Sequence, residues 1–244
     1  MKDDTSVLLE FLQISLTSAD EVFAKFMELP GAVMRGSGLE RFLFRQGTRE
    51  DRVLLVAHAD TCWDEHYGEG DRTPKIIVQD SGIIKNQNGG LGADDRAGCA
   101  MAWLLKDMGH SVLITNGQEH GLKGSNWLMN ENRDIAEEIN KSHQFALQLD
   151  RRNGTDYKCY TVGTDAFRKY IEHVTGYSEP DRRYDNDIVI LCRDICGVNL
   201  SVGYHREHTN QEYLVLDEWQ RSLDLCRGWL SRFELPRFCL HDHG

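Results

Sequence analysis

Four apolar runs decide what this chain can fold into: LLVAHAD (54–60), SVLITN (111–116), FALQLD (145–150) and GVNLSVGYH (197–205). Each is only long enough for a strand. In the first three the apolar residues are largely consecutive rather than alternating, as in strands buried on both faces. Segments with apolar residues at helical spacing separate them. Doubly buried strands joined through helices imply a largely parallel sheet with helices over each face. The expected fold class is α/β, a three-layer α/β/α arrangement on a mixed, mostly parallel central sheet, with residues 1–244 forming a single domain.

The intervening segments fill in this frame. Residues 5–28 carry Val7, Leu8, Phe11, Leu12 and Ile14 at helical spacing. GLERFLFRQG and DRVLLVAHAD read as two strands separated by a polar turn, and PKIIVQDSGIIKNQ as a hairpin around Asp80–Ser81–Gly82. A helix is predicted after GADD, with Gly109 as its stop. GLKGSNWLMNENRDIAEEINKSH is helical with a break near Asn130–Asn132, and DYKCYTV is a short strand. TDAFRKYIEHVTG opens with Thr/Asp and closes with Gly, as a capped helix does. DIVILCRDI reads as a helix with Cys192 and Cys196 on one face, and VLDEWQRSLDLCRGWLSRF as an amphipathic C-terminal helix.

Charge and composition exclude several functions. The net charge is −11, and Arg151–Arg152 and Arg182–Arg183 are isolated pairs rather than a basic run, so no nucleic-acid partner is expected. No apolar run approaches the roughly 20 residues of a membrane span. MKDDTSVLLEFLQISL begins with acids and has Glu10 and Gln13 inside its apolar stretch, unlike a secretory leader. The seven cysteines lack CxxC spacing and fit reduced, mostly buried thiols in a cytoplasmic protein. NGGLGADD lacks the third glycine of a dinucleotide fingerprint, and neither GxSxG nor GxxxxGK[ST] occurs.

In open α/β sheets, sites collect beyond the carboxyl ends of the strands. Read in order, those ends and loops carry His58 and Asp60, Asp94 and Asp95, Glu119, Asp150 and His208. Alone, a strand-end Asp is more often a helix cap or turn former than a ligand. Together, two imidazoles and several carboxylates suit zinc, with manganese or cobalt also admissible.

The stretches VAHADT, LGADDRAG, QEHGLKGS, LQLDRR and GYHREHTNQEYL span most of the chain from His58 to Glu212. In this ordered set the sequence resembles the co-catalytic di-zinc exopeptidase superfamily, which includes leucyl aminopeptidase-type enzymes, tripeptidases, zinc carboxypeptidase relatives and amide deacylases. The resemblance implies a zinc-dependent metallopeptidase or amidohydrolase with two zinc ions, acting on a peptide or acyl-amino-acid substrate. Aminopeptidase-type exopeptidase activity is the first expectation, deacylase or carboxypeptidase activity the alternative, and a homo-oligomer is admissible. Residue by residue it implies that His58 binds one metal, with Asp60 orienting its ring. Asp94 bridges both metals, Asp150 completes the first, and Glu119 and His208 complete the second. A cis peptide bond at Asp94–Asp95 goes with this pattern.

His208 is preferred to His205 as the last ligand because HTNQE matches the family's His-Thr-x-x-acid pattern. His205, Tyr204, Thr209 and Arg151 are then candidate substrate contacts, and Trp63, Arg182 and Arg183 are further residues able to approach a substrate. Larger members carry an inserted lid or dimerisation domain. The intervals Asp60–Asp94 and Asp150–His208 are too short for one. Substrate selection therefore falls to the loops CWDEHYGEGDRTP and TGYSEPDRRYDND, or to a neighbouring subunit.

The chief departure from the family is Gln118. The usual Glu-Glu pair supplies a general base and then a ligand, whereas this chain reads Gln118–Glu119. An amide keeps the shape and hydrogen bonding but cannot take up a proton at neutral pH. Little turnover is expected from the chain as it stands. Three explanations are open. An engineered Glu-to-Gln change in an active hydrolase is favoured over a natural pseudopeptidase that binds a peptide or acyl ligand uncleaved. The third is that another acid acts, such as Asp95 or Glu119.

Overall fold

Strand β3 (Leu54–His58) is buried at every position, and the fold is arranged around it. The computed structural model describes residues 3–63, 74–180 and 186–241. β3 lies between two parallel neighbours, β6 (Ser111–Thr115) and β7 (Ala146–Arg151), and β7 pairs in turn with parallel β9 (Gly197–Ser201). Antiparallel strands finish both edges: β2 (Glu40–Arg45) and β1 (Ala32–Ser37) beyond β6, and β8 (Tyr157–Lys158) beyond β9. The sheet order is β1-β2-β6-β3-β7-β9-β8, so the parallel strands β6, β3, β7 and β9 bring their carboxyl ends to one side.

Side chains alternate between the two faces of each strand, and each face has its own apolar cluster. Leu55, Ala57, Val112, Ile114, Leu147 and Leu149 pack with residues of α1 (Asp4–Gln13), α2 (Ala19–Met27), α3 (Ala93–Leu105), α6 (Asp165–Thr175) and α8 (Leu216–Leu230). Leu54, Val56, Leu113 and Ala146 pack with residues of α4 (Lys123–Glu131), α5 (Arg133–Ser142) and α7 (Asp187–Leu191). The three-layer α/β arrangement predicted from the sequence is the one found. Helix α6 has the predicted caps: the Thr164 hydroxyl accepts from the Phe167 N–H, and Gly176 ends the helix in the left-handed conformation. The Asp94–Asp95 peptide bond is cis.

Several elements differ from expectation. The opening segment is two helices, because the Ser18 hydroxyl caps α2 and the buried Arg96 guanidinium donates to the Ser15 and Ser18 carbonyls. Strand β1 was not foreseen; it is an edge strand that leaves Val33 and Met34 exposed, so it lacks a buried pattern. The hairpin β4 (Ile77–Asp80) and β5 (Ile83–Asn86) does form, but it belongs to a second, antiparallel sheet with β10 (Tyr204–His205) and β11 (Tyr213–Val215). GVNLSVGYH is therefore split between sheets, with Gly203 at φ +85° where the chain turns out of β9. Cys192 and Cys196 do not share a helix face: α7 ends at Leu191 and both thiols are buried beyond it. All seven cysteines are free. No described helix is long and apolar enough to cross a membrane. The loops 62–74 and 175–187 fall partly outside the described residues, as do Arg182 and Arg183.

Gly98 sets how closely α3 approaches β7. A methyl group there would run into the Leu149 carbonyl oxygen and the Asp95 carboxylate. Gly98→Ala is expected to destabilise the protein by about 1–3 kcal/mol through overpacking, read as a lowered denaturation midpoint. Beneath the sheet, the buried His143 ring donates from Nδ1 to the Ile139 carbonyl at 3.0 Å and meets the Ser111 hydroxyl through Nε2 at 2.7 Å. Burial lowers its pKa from 6.5 to about 4. On acidification the unfolded chain takes up this proton first. The stabilisation is thus complete above pH 6.5 and is lost as pH falls toward 4, an effect on the order of 3 kcal/mol. The fall in unfolding free energy between pH 7 and pH 5 should be smaller in His143→Gln than in the parent; equal slopes would contradict this assignment.

Candidate metal centre

The site begins where β3 ends. The His58 ring is fully buried, and its Nδ1 lies 3.1 Å from the Asp60 carbonyl and 3.3 Å from Asp60 Oδ1. Those acceptors suit a ring proton on Nδ1, so that with a cation bound Nε2 would be the nitrogen free to ligate it. Nε2 points at two carboxylates, Asp94 Oδ1 at 3.1 Å and Asp150 Oδ1 at 3.5 Å. Asp94 comes from the start of α3, and Asp150 from β7, the parallel neighbour of β3.

The other oxygen of Asp94 turns toward a second imidazole. Its Oδ2 is 3.2 Å from His208 Nε2, which is also 2.7 Å from Glu119 Oε1. Glu119 sits in the loop after β6, and His208 in the turn between β10 and β11, at φ +62°. The structure therefore brings together His58, Asp94, Asp150, Glu119 and His208, which the sequence supplied from separate segments.

The donor spacing and the charge both fit divalent cations. Ligands bound at about 2.1 Å in a tetrahedron lie roughly 3.4 Å apart; the contacts at 3.1, 3.5 and 3.2 Å lie near that value, while His208 and Glu119, at 2.7 Å, would part to admit a cation. Burial, and then the neighbouring Asp94 charge, raise the pKa of Glu119, while burial also raises that of Asp150. Burial opposes charging of the His58 ring, yet Asp150, Asp60 and Asp94 outweigh it and hold its pKa well above the usual range. Hydrogen bonds to Asp94 and Glu119 lift His208 to about 11. Protonated imidazoles balance acids here in the way bound cations would.

A further layer holds these groups in place. Asp60 accepts from the backbone N–H groups of Gln118 at 3.2 Å and Glu119 at 3.0 Å. Asp95 is buried and accepts from the His58 and Gly98 N–H groups, so both its oxygens hold backbone. Asn186 and Gln148 donate to Asp150 Oδ2. Buried Glu212 accepts from the N–H groups of Leu91, Gly92 and Asp94, fixing the loop that delivers Asp94. Sequence reading gave Glu212 no separate role; its one signal was the acid ending HTNQE. It also passed over Cys62, whose Sγ lies within 4.8 Å of donor atoms of Glu119 and His208. Its signal was its place two residues beyond Asp60.

A cavity of about 320 Å³ opens beside the cluster, bounded by Asp94, Gln118, Glu119, Asp150 and His208. Arg151, Arg152, Lys158, Tyr160, Asn186, Tyr204 and Glu207 form the rest of its wall. The Tyr204 hydroxyl donates to Asp150 Oδ1 at 3.1 Å, and Arg151 pairs with Asp156 at 3.3 Å. His205 is not brought to the cavity. It stacks on Tyr213 and lies 2.7 Å from Glu218, so it joins α8 to the second sheet. Thr209 closes its own turn through the Arg206 carbonyl, and Trp63 is buried against Gly90.

No family model matches the sequence, and no curated protein matches it. Solved structures do match in shape. The TET aminopeptidase from Thaumarchaeota archaeon SCGC AB-539-E09 superposes with a TM-score of 0.68 at 12% identity, covering 96% of this chain and 98% of that one. The Pyrococcus horikoshii TET1 peptidase, described as assembling into a tetrahedron or a large octahedral shell, gives 0.64 at 14%, covering 96% and 100%. Aminopeptidase PepT from Bacillus cereus ATCC 10987 gives 0.63 at 14%, covering 93% and 97%. The fold of this chain is thus the one shared by these aminopeptidases and peptidases, as expected from the superfamily its motifs resemble.

Proposed function

We propose that this chain is a two-metal hydrolase of peptide or amide bonds, an exopeptidase of aminopeptidase type, in which residues 1–244 act as one cytoplasmic catalytic domain. One observation carries the reading: the two oxygens of Asp94 face different imidazoles, at 3.1 Å for His58 and 3.2 Å for His208. A carboxylate so placed can bridge two cations. In this reading His58, Asp94 and Asp150 hold one cation, while Asp94, Glu119 and His208 hold the other. Zinc suits the mixed imidazole and carboxylate donors best, with manganese or cobalt as substitutes. Two bound cations would polarise a substrate carbonyl and activate an attacking water.

The chain's own residues do the positioning. Asp60 fixes the His58 ring and the backbone of the loop carrying Glu119. Gln118 borders the same cavity, where its amide can orient a ligand but cannot move the proton that hydrolysis requires. We read Gln118 as a glutamine standing where an active hydrolase has glutamate. A second reading of the substrate has its own support: Arg151, Arg152 and Lys158 in the cavity wall suit a carboxylate beside the scissile bond, as in a carboxypeptidase or deacylase. Likeness to a shell-forming peptidase supports self-association of this chain.

Metal analysis of the purified protein should find about two zinc ions per chain, and Asp94→Asn should weaken both sites; sub-stoichiometric metal unaffected by that change would count against the whole reading. Gln118→Glu should raise hydrolysis of a panel of peptides and acyl-amino acids by about 10²–10⁴-fold. With metal bound and no gain on any substrate, the chain would instead be a binding module.

A further inference from the structure

We propose that Cys62 is a protein ligand of the second cation position, which then has a Cys–His–Glu–Asp donor set. The inference rests on the two-metal reading above and adds a donor that the sequence motifs do not include. The sulfur, a Glu119 carboxylate oxygen and a His208 ring nitrogen all lie within 4.8 Å of one another. Tetrahedral neighbours at zinc, one bound through sulfur at about 2.3 Å and one through nitrogen at about 2.1 Å, lie roughly 3.6 Å apart. The sulfur therefore lies within roughly 1 Å of the separation from each of these donors that a shared zinc would need.

The backbone on either side of Cys62 is anchored. Asp60 is buried and bonded to the Gln118 and Glu119 N–H groups. The buried Thr61 hydroxyl donates to the Leu16 carbonyl at 2.9 Å and accepts from the Trp63 N–H at 3.2 Å. Trp63 in turn is packed on Gly90 so closely that a Cβ there would meet its ring. The backbone that carries the thiol is thus fixed beside Glu119 and His208. Cys62 also stands apart from the other cysteines: five are buried, Cys239 is partly exposed, and among the described residues no other cysteine joins a metal-compatible cluster.

The donor count has a chemical consequence. Three protein ligands leave a zinc ion an open position for water or substrate, whereas four close a tetrahedral site. With Cys62 added, the second cation would have one protein donor more than the first, on His58, Asp94 and Asp150, so the first would be the more open of the two to water and substrate. On ligation the Cys62 thiol loses its proton to solvent and forms a sulfur–metal bond, with no change of oxidation state. A soft thiolate favours zinc and cobalt over manganese and magnesium at this position.

The test is a Co²⁺ titration of the metal-free full chain, followed by absorption, for the parent and for Cys62→Ser. The parent should bind two cobalt ions, one of them producing a sulfur-to-cobalt charge-transfer band in the near ultraviolet. Cys62→Ser should lose that band while keeping the visible d–d bands, and one site should weaken by at least about tenfold, a loss seen even for residues one step further from a metal. Reaction of Cys62 with a thiol reagent, taken as the difference between parent and Cys62→Ser, should be blocked by Zn²⁺. Two bound cobalt ions without the charge-transfer band, or identical titrations for the two proteins, would overturn the thiolate and leave the two-metal reading intact. Failure of the parent to bind cobalt or zinc would remove both.

Discussion

Asp60 is the interaction on which the site depends. One buried carboxylate holds the His58 ring at 3.3 Å and accepts the backbone N–H groups of Gln118 and Glu119. It thereby ties the end of β3 to the loop leaving β6. These strands are parallel neighbours, about 4.8 Å apart, so their ends are adjacent by topology alone. Asp60 converts that adjacency into a fixed geometry. His58 and Glu119 cannot shift independently, because the same carboxylate sets the ring of one and the backbone of the other.

The acids around the site differ in what satisfies them. Asp60, Asp95 and Glu212 each accept backbone N–H groups, and those bonds offset much of the desolvation that burial imposes. Asp94 and Glu119 present oxygens to imidazoles instead. A fold that only needed to bury acids would give them all amide partners. Leaving Asp94 with an imidazole at each oxygen keeps its lone pairs directed into the space between His58 and His208. The outer acids carry the structural load, and the inner ones keep their donor atoms available for a cation.

The parallel core was legible because strands buried on both faces leave an unmistakable apolar run, as in LLVA and FALQL. The ordered strand-end residues were legible for a related reason: a parallel sheet gathers those ends, so residues far apart in sequence share an edge. What escaped notice had weaker local signals. β1 is an exposed edge strand, and the second sheet joins β5 to β10 and β11, pairings of long sequence separation that no local pattern specifies. Glu212 acts through three backbone amides contributed by another segment, a role that depends on tertiary placement rather than residue type. His205 was the rival to His208, which the HTNQE pattern favoured. A left-handed residue at each of Arg206 and His208 turns the chain between them, and the two imidazoles end up serving different partners, Glu218 and Glu119.

The same logic bears on Gln118. Its N–H donates to Asp60 and its carbonyl accepts from the Leu122 N–H at 3.2 Å, so the backbone is bonded on both sides. Neither contact involves the side chain. The neighbouring Gly124 N–H to Asn116 carbonyl bond, at 2.9 Å, holds the base of the same turn. Whatever side chain position 118 carries, the main chain delivers it to the same stretch of cavity wall, beside Glu119 and Asp94. Glutamine and glutamate are nearly isosteric, so exchanging them alters proton transfer while leaving the frame in place. The amide thus changes the chemistry available at this position without changing the architecture that would present an acid there.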